Sequence, residues 1–183
     1  MIIACDVDNC LNNLQEAVIQ LFNERHGTNY TVDSFNDYNI ENVLPVKEAI
    51  AMKDMYGESG IYDYVKPLYG SQDGLQKLIN DGHHVYLVTD AVPKNYSEKI
   101  DWIHHFFPFV NDSHIVAMKH KHLFKCELMI EDNMTNLLSG VNYHRVCIDY
   151  KWNRNGKDYV YDIHRCINWD DVLDVVDKLK EEE

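Results

Sequence analysis

Basic residues are scarce in this chain: 17 Lys and Arg stand against 30 Asp and Glu, a formal net charge of −13. Proteins that grip a long polyanion displace its counterions with dense Lys and Arg, so no long nucleic acid is expected as a partner. A small phosphorylated molecule held by a local site remains compatible. Long apolar runs are also missing. None approaches the ~20 residues needed to span a bilayer, and no membrane partner is expected. The five cysteines (5, 10, 126, 147 and 166) are odd in number and form no CxxC pair. That argues against a disulfide framework and for reduced thiols. The ten histidines include no HExxH and no Cys/His zinc spacing, so no transition-metal centre is expected. No positively charged flank or cleavage site precedes the first apolar run, and a cytoplasmic location is the expectation.

What is present is a core-forming chain. Its 183 residues are 45% hydrophobic, enough for one domain or one domain with an insertion. Apolar stretches of strand length recur, and each ends in a polar residue: MIIACD on Asp6, HHVYLVTD on Thr89 and Asp90, CELMIED on Glu131 and Asp132, YHRVCID on Asp149. SHIVAMK, leading to Lys119 and Lys121, is a fifth candidate. Runs apolar on both faces are typical of parallel strands covered by helices. Helical patterns lie between them, at SQDGLQKLINDG, NYSEKIDWIHHFF and NMTNLLSG. A last helix, NWDDVLDVVDKLK, has Asn168 as its N-cap and Trp169, Val172, Leu173, Val176 and Leu179 on one face. The alternation predicts an α/β fold with a doubly wound, mainly parallel sheet. Residues 14–66 break the rhythm with helical patterns and no convincing strand. They read as a small helical cap inserted after the first strand, and 1–13 with 67–183 as the catalytic core.

Ligands of open parallel sheets bind at the carboxyl ends of the strands, where Asp6, Asp8, Thr89, Lys121 and Asp132 all fall. These residue types suit phosphoryl transfer. A carboxylate such as Asp6 can act as nucleophile and split one hard step into two. Asp8, two residues on, can serve as general acid and base. Asp132 can hold a hard divalent ion, Mg²⁺, against Asp6, relieving the repulsion between the acids. Thr89 can donate a hydrogen bond to phosphate, and Lys121 can neutralise its charge.

The same residues resemble the haloacid-dehalogenase-like phosphohydrolases, and more closely their 5'(3')-deoxyribonucleotidase family. DVDNCLNN (6–13) is similar to that family's first motif, VYLVTD (85–90) to its second, and KHLFKCELMIEDN (121–133) to its third and fourth together. KIDWIHHFFP, from Lys99 to Pro108, and WNRN, from Trp152 to Asn155, are also similar to stretches of the family, as is the helical block after the first motif. The resemblance implies a Rossmann-like core with a cap. It implies Asp6 as nucleophile and Asp8 as acid/base, with Mg²⁺ held by Asp6, the Asp8 backbone carbonyl and Asp132. It also implies Thr89 and Lys121 on the phosphate, and a pocket that includes Phe22, Tyr38, Trp152 and Asn153. Glu131 stands where the family usually has Asp, and Asp90 where these nucleotidases more often carry a small hydroxyl residue. Both are expected beside the site.

The expected activity is Mg²⁺-dependent hydrolysis of a nucleoside monophosphate, a deoxyribonucleotide in the first instance, through an aspartyl-phosphate. Two alternatives stay open: a phosphatase of sugar phosphates or other small phosphomonoesters, and a non-catalytic nucleotide-binding protein on the same fold. The oligomeric state is also open, a homodimer among its alternatives.

Overall fold

In a computed structural model, which describes residues 1–90, 92–154 and 162–182, six strands form one sheet: β1 (Ile2–Cys5), β2 (His84–Thr89), β3 (Ile115–Ala117), β4 (Leu128–Glu131), β5 (His144–Ile148) and β6 (Ile163–Cys166). Every neighbouring pair is parallel, and the order is β3-β2-β1-β4-β5-β6. All four residues of β4 are buried, as are Ile3, Ala4 and Cys5 of β1. These central strands are the ones whose apolar runs are plainest. The edge strand β6, IHRC, is only half buried; its polar residues leave no continuous run, and it was not among the strands expected.

Side chains alternate between the faces of the sheet, and two apolar clusters result. Ile3 and Cys5 belong to one cluster, Ala4, Val88 and Met129 to the other. The first is covered by α3 (Ser71–Asn80), α4 (Tyr96–Phe106) and α6 (Trp169–Glu181), the second by the short α5 (Met134–Ser139). Asn168 caps α6 as expected, its Oδ1 accepting from the Asp171 N–H at 2.9 Å. The Asn155 end of WNRN lies outside the described residues.

Residues 14–66 hold α1 (Leu14–His26), α2 (Val46–Met55) and three 3₁₀ turns, and no named strand among the described residues. Gly27 ends α1 at φ 67°, where a left-handed residue lets its N–H reach the Asn23 carbonyl at 2.8 Å. The buried residues of this block, including Phe22, Phe35 and Met52, join the same cluster as Ile3 and Leu87. Its two ends meet at a neck. Asn12 pairs with Pro67, the Asn13 N–H donates to the Lys66 carbonyl at 3.0 Å, and the Leu68 N–H donates to the Leu11 carbonyl at 2.8 Å. Among the described residues no helix is long and apolar enough to cross a membrane.

Helices α3 and α6 pack closely because Gly74 leaves room for Trp169, whose Cε3 would sit 2.5 Å from a Cβ at position 74. Alanine normally gains about 1 kcal/mol over glycine within a helix. Gly74→Ala is nevertheless expected to destabilise the protein, by about 1–3 kcal/mol, because the indole must move. Urea unfolding of the variant checks this, and a gain in stability would refute the close-packing argument.

Candidate active site

The sheet order reverses between β1 and β4, and the acidic residues gather at that point. The Asp6 N–H donates to the Ile130 carbonyl at 2.9 Å, which sets Asp6 beside Glu131 and Asp132 at the end of the neighbouring strand. After Asp6 the chain folds tightly: the Val7 carbonyl accepts from the N–H groups of Cys10, Leu11 and Asn12. Asn9 lies in the left-handed region at φ 58°, which asparagine tolerates better than most residues. Its Nδ2 donates to Asp132 Oδ2 at 3.2 Å, its Oδ1 accepts from the Gln15 N–H, and its carbonyl accepts from the Tyr150 hydroxyl. The buried Asn12 holds the loop from inside, accepting from the Asn9 and Leu14 N–H groups and donating to Asp8 Oδ1 at 3.1 Å.

Two buried lysines divide the carboxylates. Lys121, on a 3₁₀ turn (Lys121–Leu123), lies 2.7 Å from Asp6 Oδ2 and 2.8 Å from Glu131 Oε2. Burial works against its charge, but Asp6 and Glu131 hold its ammonium pKa well above the ordinary value. Lys99, on α4, lies 2.7 Å from Asp8 Oδ2 and donates to Thr89 Oγ1 at 3.0 Å and to the Asp90 carbonyl at 2.7 Å. Burial raises the Asp8 carboxyl, but Lys99, Asn12 and the Tyr62 hydroxyl (3.1 Å) outweigh it and keep that carboxyl below its usual range.

Asp132 has no such partner. Among the described residues it makes no ion pair, and burial together with the facing Asp6 carboxylate pushes its pKa up to about 7. Burial and Asp6 likewise raise Glu131 well above its ordinary value, against the pull of Lys121. Repulsion between two carboxylates about 4 Å apart is roughly 4 kcal/mol at an effective dielectric of 20, more than the single Asn9 hydrogen bond returns. With all four carboxyls ionised, the two ammoniums leave two negative charges, and a divalent cation would favour that ionised form, so the donor set fits one. Oxygens of Asp6 and Asp132 and the Sγ of Cys10 lie within 4.8 Å of one another.

Asp6, Asp8, Lys121 and Asp132 thus converge, and all four line a cavity of about 830 Å³ with Tyr38 and Trp152. Asp90 also lines it, exposed, with its carbonyl on Lys99. Thr89 is fully buried beneath, against Lys99. Glu131 does not face the opening; it is fully buried against Lys121. Phe22 lies in the core, stacked on His26, and is not in the cavity wall. Asn153 turns inward, donating to the Asp132 carbonyl at 2.9 Å and the Ile148 carbonyl at 2.8 Å. Arg165 in turn donates to Asn153 Oδ1 and to Asp149 Oδ1, each at 2.8 Å. The sequence reading gave no role to Lys99, Asn9 or Asn12. A lysine on an amphipathic helix reads as solvated, and asparagines after an acidic pair read as a turn.

The family model described as 5' nucleotidase, deoxy (pyrimidine), cytosolic type C matches residues 1–181. A protein of Staphylococcus epidermidis named putative 5'(3')-deoxyribonucleotidase is 28% identical over 137 residues, 74% of this chain and 75% of that one. A 5'(3')-deoxyribonucleotidase of Bacillus subtilis is 30% identical over 105 residues, 56% of this chain and 58% of its own. In fold, the chain is similar to a haloacid dehalogenase-like hydrolase of Streptococcus pneumoniae (TM-score 0.61, 13% identity, 95% of this chain and 97% of that one). It is also similar to a hydrolase of the same class from Deinococcus radiodurans, solved with bound phosphate and sodium (TM-score 0.58, 12% identity, 90% and 89% covered).

Arg154 and Arg165 flank Asp149 at 2.6 and 2.8 Å, and they outweigh burial to hold its carboxyl below the usual value. Such a group stabilises the fold above its unfolded pKa of about 3.9 and loses that contribution as pH falls through the lower folded value. Urea unfolding of wild type and Asp149→Asn from pH 7 down to about 3 should therefore show the two stabilities converging as the pH drops. A constant gap would show that the pair contributes nothing through ionisation.

Proposed function

The chain belongs to the 5' nucleotidase, deoxy (pyrimidine), cytosolic type C family, and from that membership we propose that it hydrolyses nucleoside monophosphates, 5'(3')-deoxyribonucleotides first among them, with Mg²⁺ and through an aspartyl-phosphate on Asp6. One observation supports the reading above the others: Asp6, Asp132 and the Asp8–Lys99 pair sit together at the carboxyl ends of adjacent strands, short of positive charge.

Asp6 attacks phosphorus, and the P–O bond to the leaving oxygen breaks as Asp8 gives that oxygen a proton. Asp8, now a carboxylate, takes a proton from the water that attacks the aspartyl-phosphate, which returns Asp6 and frees phosphate. Lys99 governs this exchange. Its ion pair keeps Asp8 charged, and an incoming phosphate dianion draws on the same ammonium and raises the proton affinity of Asp8. Lys121 holds Asp6 in place and, with Lys99, balances the added charge. Asp6, Asp132 and the Asp8 carbonyl would hold Mg²⁺, which when bound neutralises phosphate oxygens. Glu131, longer than the expected Asp, is taken up by Lys121, which supports a working site.

We read residues 14–66 as a cap over the core formed by 1–13 and 67–183. The block supplies Phe35, Tyr38 and Tyr56 to the wall of the cavity that the acids also line, and aromatic walls suit a nucleobase better than a bare sugar phosphate.

Phosphate release from a panel of deoxy- and ribonucleoside monophosphates and sugar phosphates tests the reading. Deoxynucleotides should be turned over with Mg²⁺, not with chelator, and not by Asp6→Asn. Turnover by Asp6→Asn would end the covalent mechanism, and a preference for sugar phosphates would end the substrate assignment. Asp8→Asn should slow turnover about 10²–10⁴-fold while leaving the Mg²⁺ requirement in place; near-wild-type rates would remove Asp8 from proton transfer.

A further inference from the structure

Cys10 belongs to the same loop as Asp6, and its side chain is fully buried. Its Sγ points into the acidic cluster, within 4.8 Å of carboxylate oxygens of Asp6 and Asp132. Among the described residues that sulfur has no hydrogen-bond partner. Neighbouring Cys5 differs, since its Sγ donates to the Asp6 carbonyl at 3.1 Å. An unpartnered thiol aimed at two carboxylates, one of which lacks a cation, is a mixed sulfur–oxygen donor set.

We propose that Asp6, Cys10 and Asp132 form a site for a thiophilic divalent ion, Zn²⁺ above all, which competes with Mg²⁺ for the two carboxylates. The inference rests on the reading of Asp6 and Asp132 as the metal-holding pair. Mg²⁺ keeps oxygen ligands in octahedral array and leaves the sulfur unused. Zn²⁺ accepts thiolate at about 2.3 Å and carboxylate at about 2.0–2.2 Å in tetrahedral array. Adjacent ligands in such an array stand roughly 3.3–3.8 Å apart, so the three side chains need close by only about 1 Å. On binding, the S–H bond breaks, its proton leaves to solvent, and the sulfur electron pair forms the Zn–S bond. Nothing is oxidised or reduced. The fourth position is left for water or a substrate oxygen. Soft ligands favour Zn²⁺ beyond its general advantage over Mg²⁺, so the ion should hold the enzyme in a tightly loaded form that excludes Mg²⁺.

The test uses the full chain stripped of metal, with Cd²⁺ as spectroscopic probe and Zn²⁺ measured by competition against a chromophoric chelator. Wild type should develop an ultraviolet thiolate-to-cadmium absorption that saturates at one ion per chain. Cys5→Ala should retain that absorption, whereas Cys10→Ser and Cys10→Val should lose it and bind Zn²⁺ at least about tenfold more weakly. Cooperative thermal unfolding of the metal-free variants excludes misfolding as the cause, and two variants of different polarity guard against one that fails to fold. No absorption in wild type, or the same absorption and Zn²⁺ affinity in a folded Cys10 variant, overturns the proposal. Mg²⁺-dependent phosphate release from deoxynucleotides is followed separately. Hydrolysis with no thiolate absorption defeats the zinc site alone, and thiolate absorption without hydrolysis defeats the proposed activity alone.

Discussion

The crowding of carboxylates at the junction of β1 and β4 is the constraint from which the rest of the site follows. Asp6, Glu131 and Asp132 are brought together by strand pairing, with Asp8 one turn away, and repulsion at that range exceeds what a single hydrogen bond offsets. Two buried ammoniums answer part of it, each in a different way. Lys121 bridges Asp6 and Glu131 from a turn beyond the sheet, and Lys99 reaches Asp8 from α4. The helices and loops that bring these lysines in are thus tied electrostatically to the strands they cover. The carboxylate left over, Asp132, makes no ion pair among the described residues, and it is where the repulsion stays unanswered by an ammonium.

Much of this was legible in the sequence because it depends on strand ends. A parallel sheet directs every carboxyl-terminal residue to one edge, so apolar runs ending in Asp6, Thr89 and Glu131–Asp132 carry spatial information in their spacing alone. The doubly wound core follows from the same runs, and the helical character of residues 14–66 from their interruption by helical patterns. The illegible parts have no periodic signature. Lys99 is a cation on a helix whose burial depends on what packs over it. Asn9 and Asn12 act through a backbone turn, with a left-handed residue at its centre, that no apolar pattern encodes. Strand β6 escaped because an edge strand half open to water need not be apolar. Asn153, on the turn after β5, and Arg165, on β6, hold one another, and only tertiary structure joins them.

Aromatic residues divide in the same way. Tyr and Phe fall throughout 14–66, and composition cannot say which face a cavity. Phe22 is fully buried on a face shared with Val18 and Leu21, deep in the core. Tyr38, on a loop between 3₁₀ turns, is half exposed at the cavity wall. Tyr62 does something different again, turning its hydroxyl to Asp8. Helical residues are committed by periodicity, whereas loop residues are placed by contacts distant in sequence.

The neck that joins residues 14–66 to the sheet passes through Asn12, whose backbone pairs with Pro67 and whose side-chain amide holds Asp8. One residue is therefore both a joint between the block and the sheet and a strut of the carboxylate, which Lys99 holds from the other side. A change at position 12 reaches the seam of the fold and the seating of Asp8 at once, so the two are not independently adjustable through that residue.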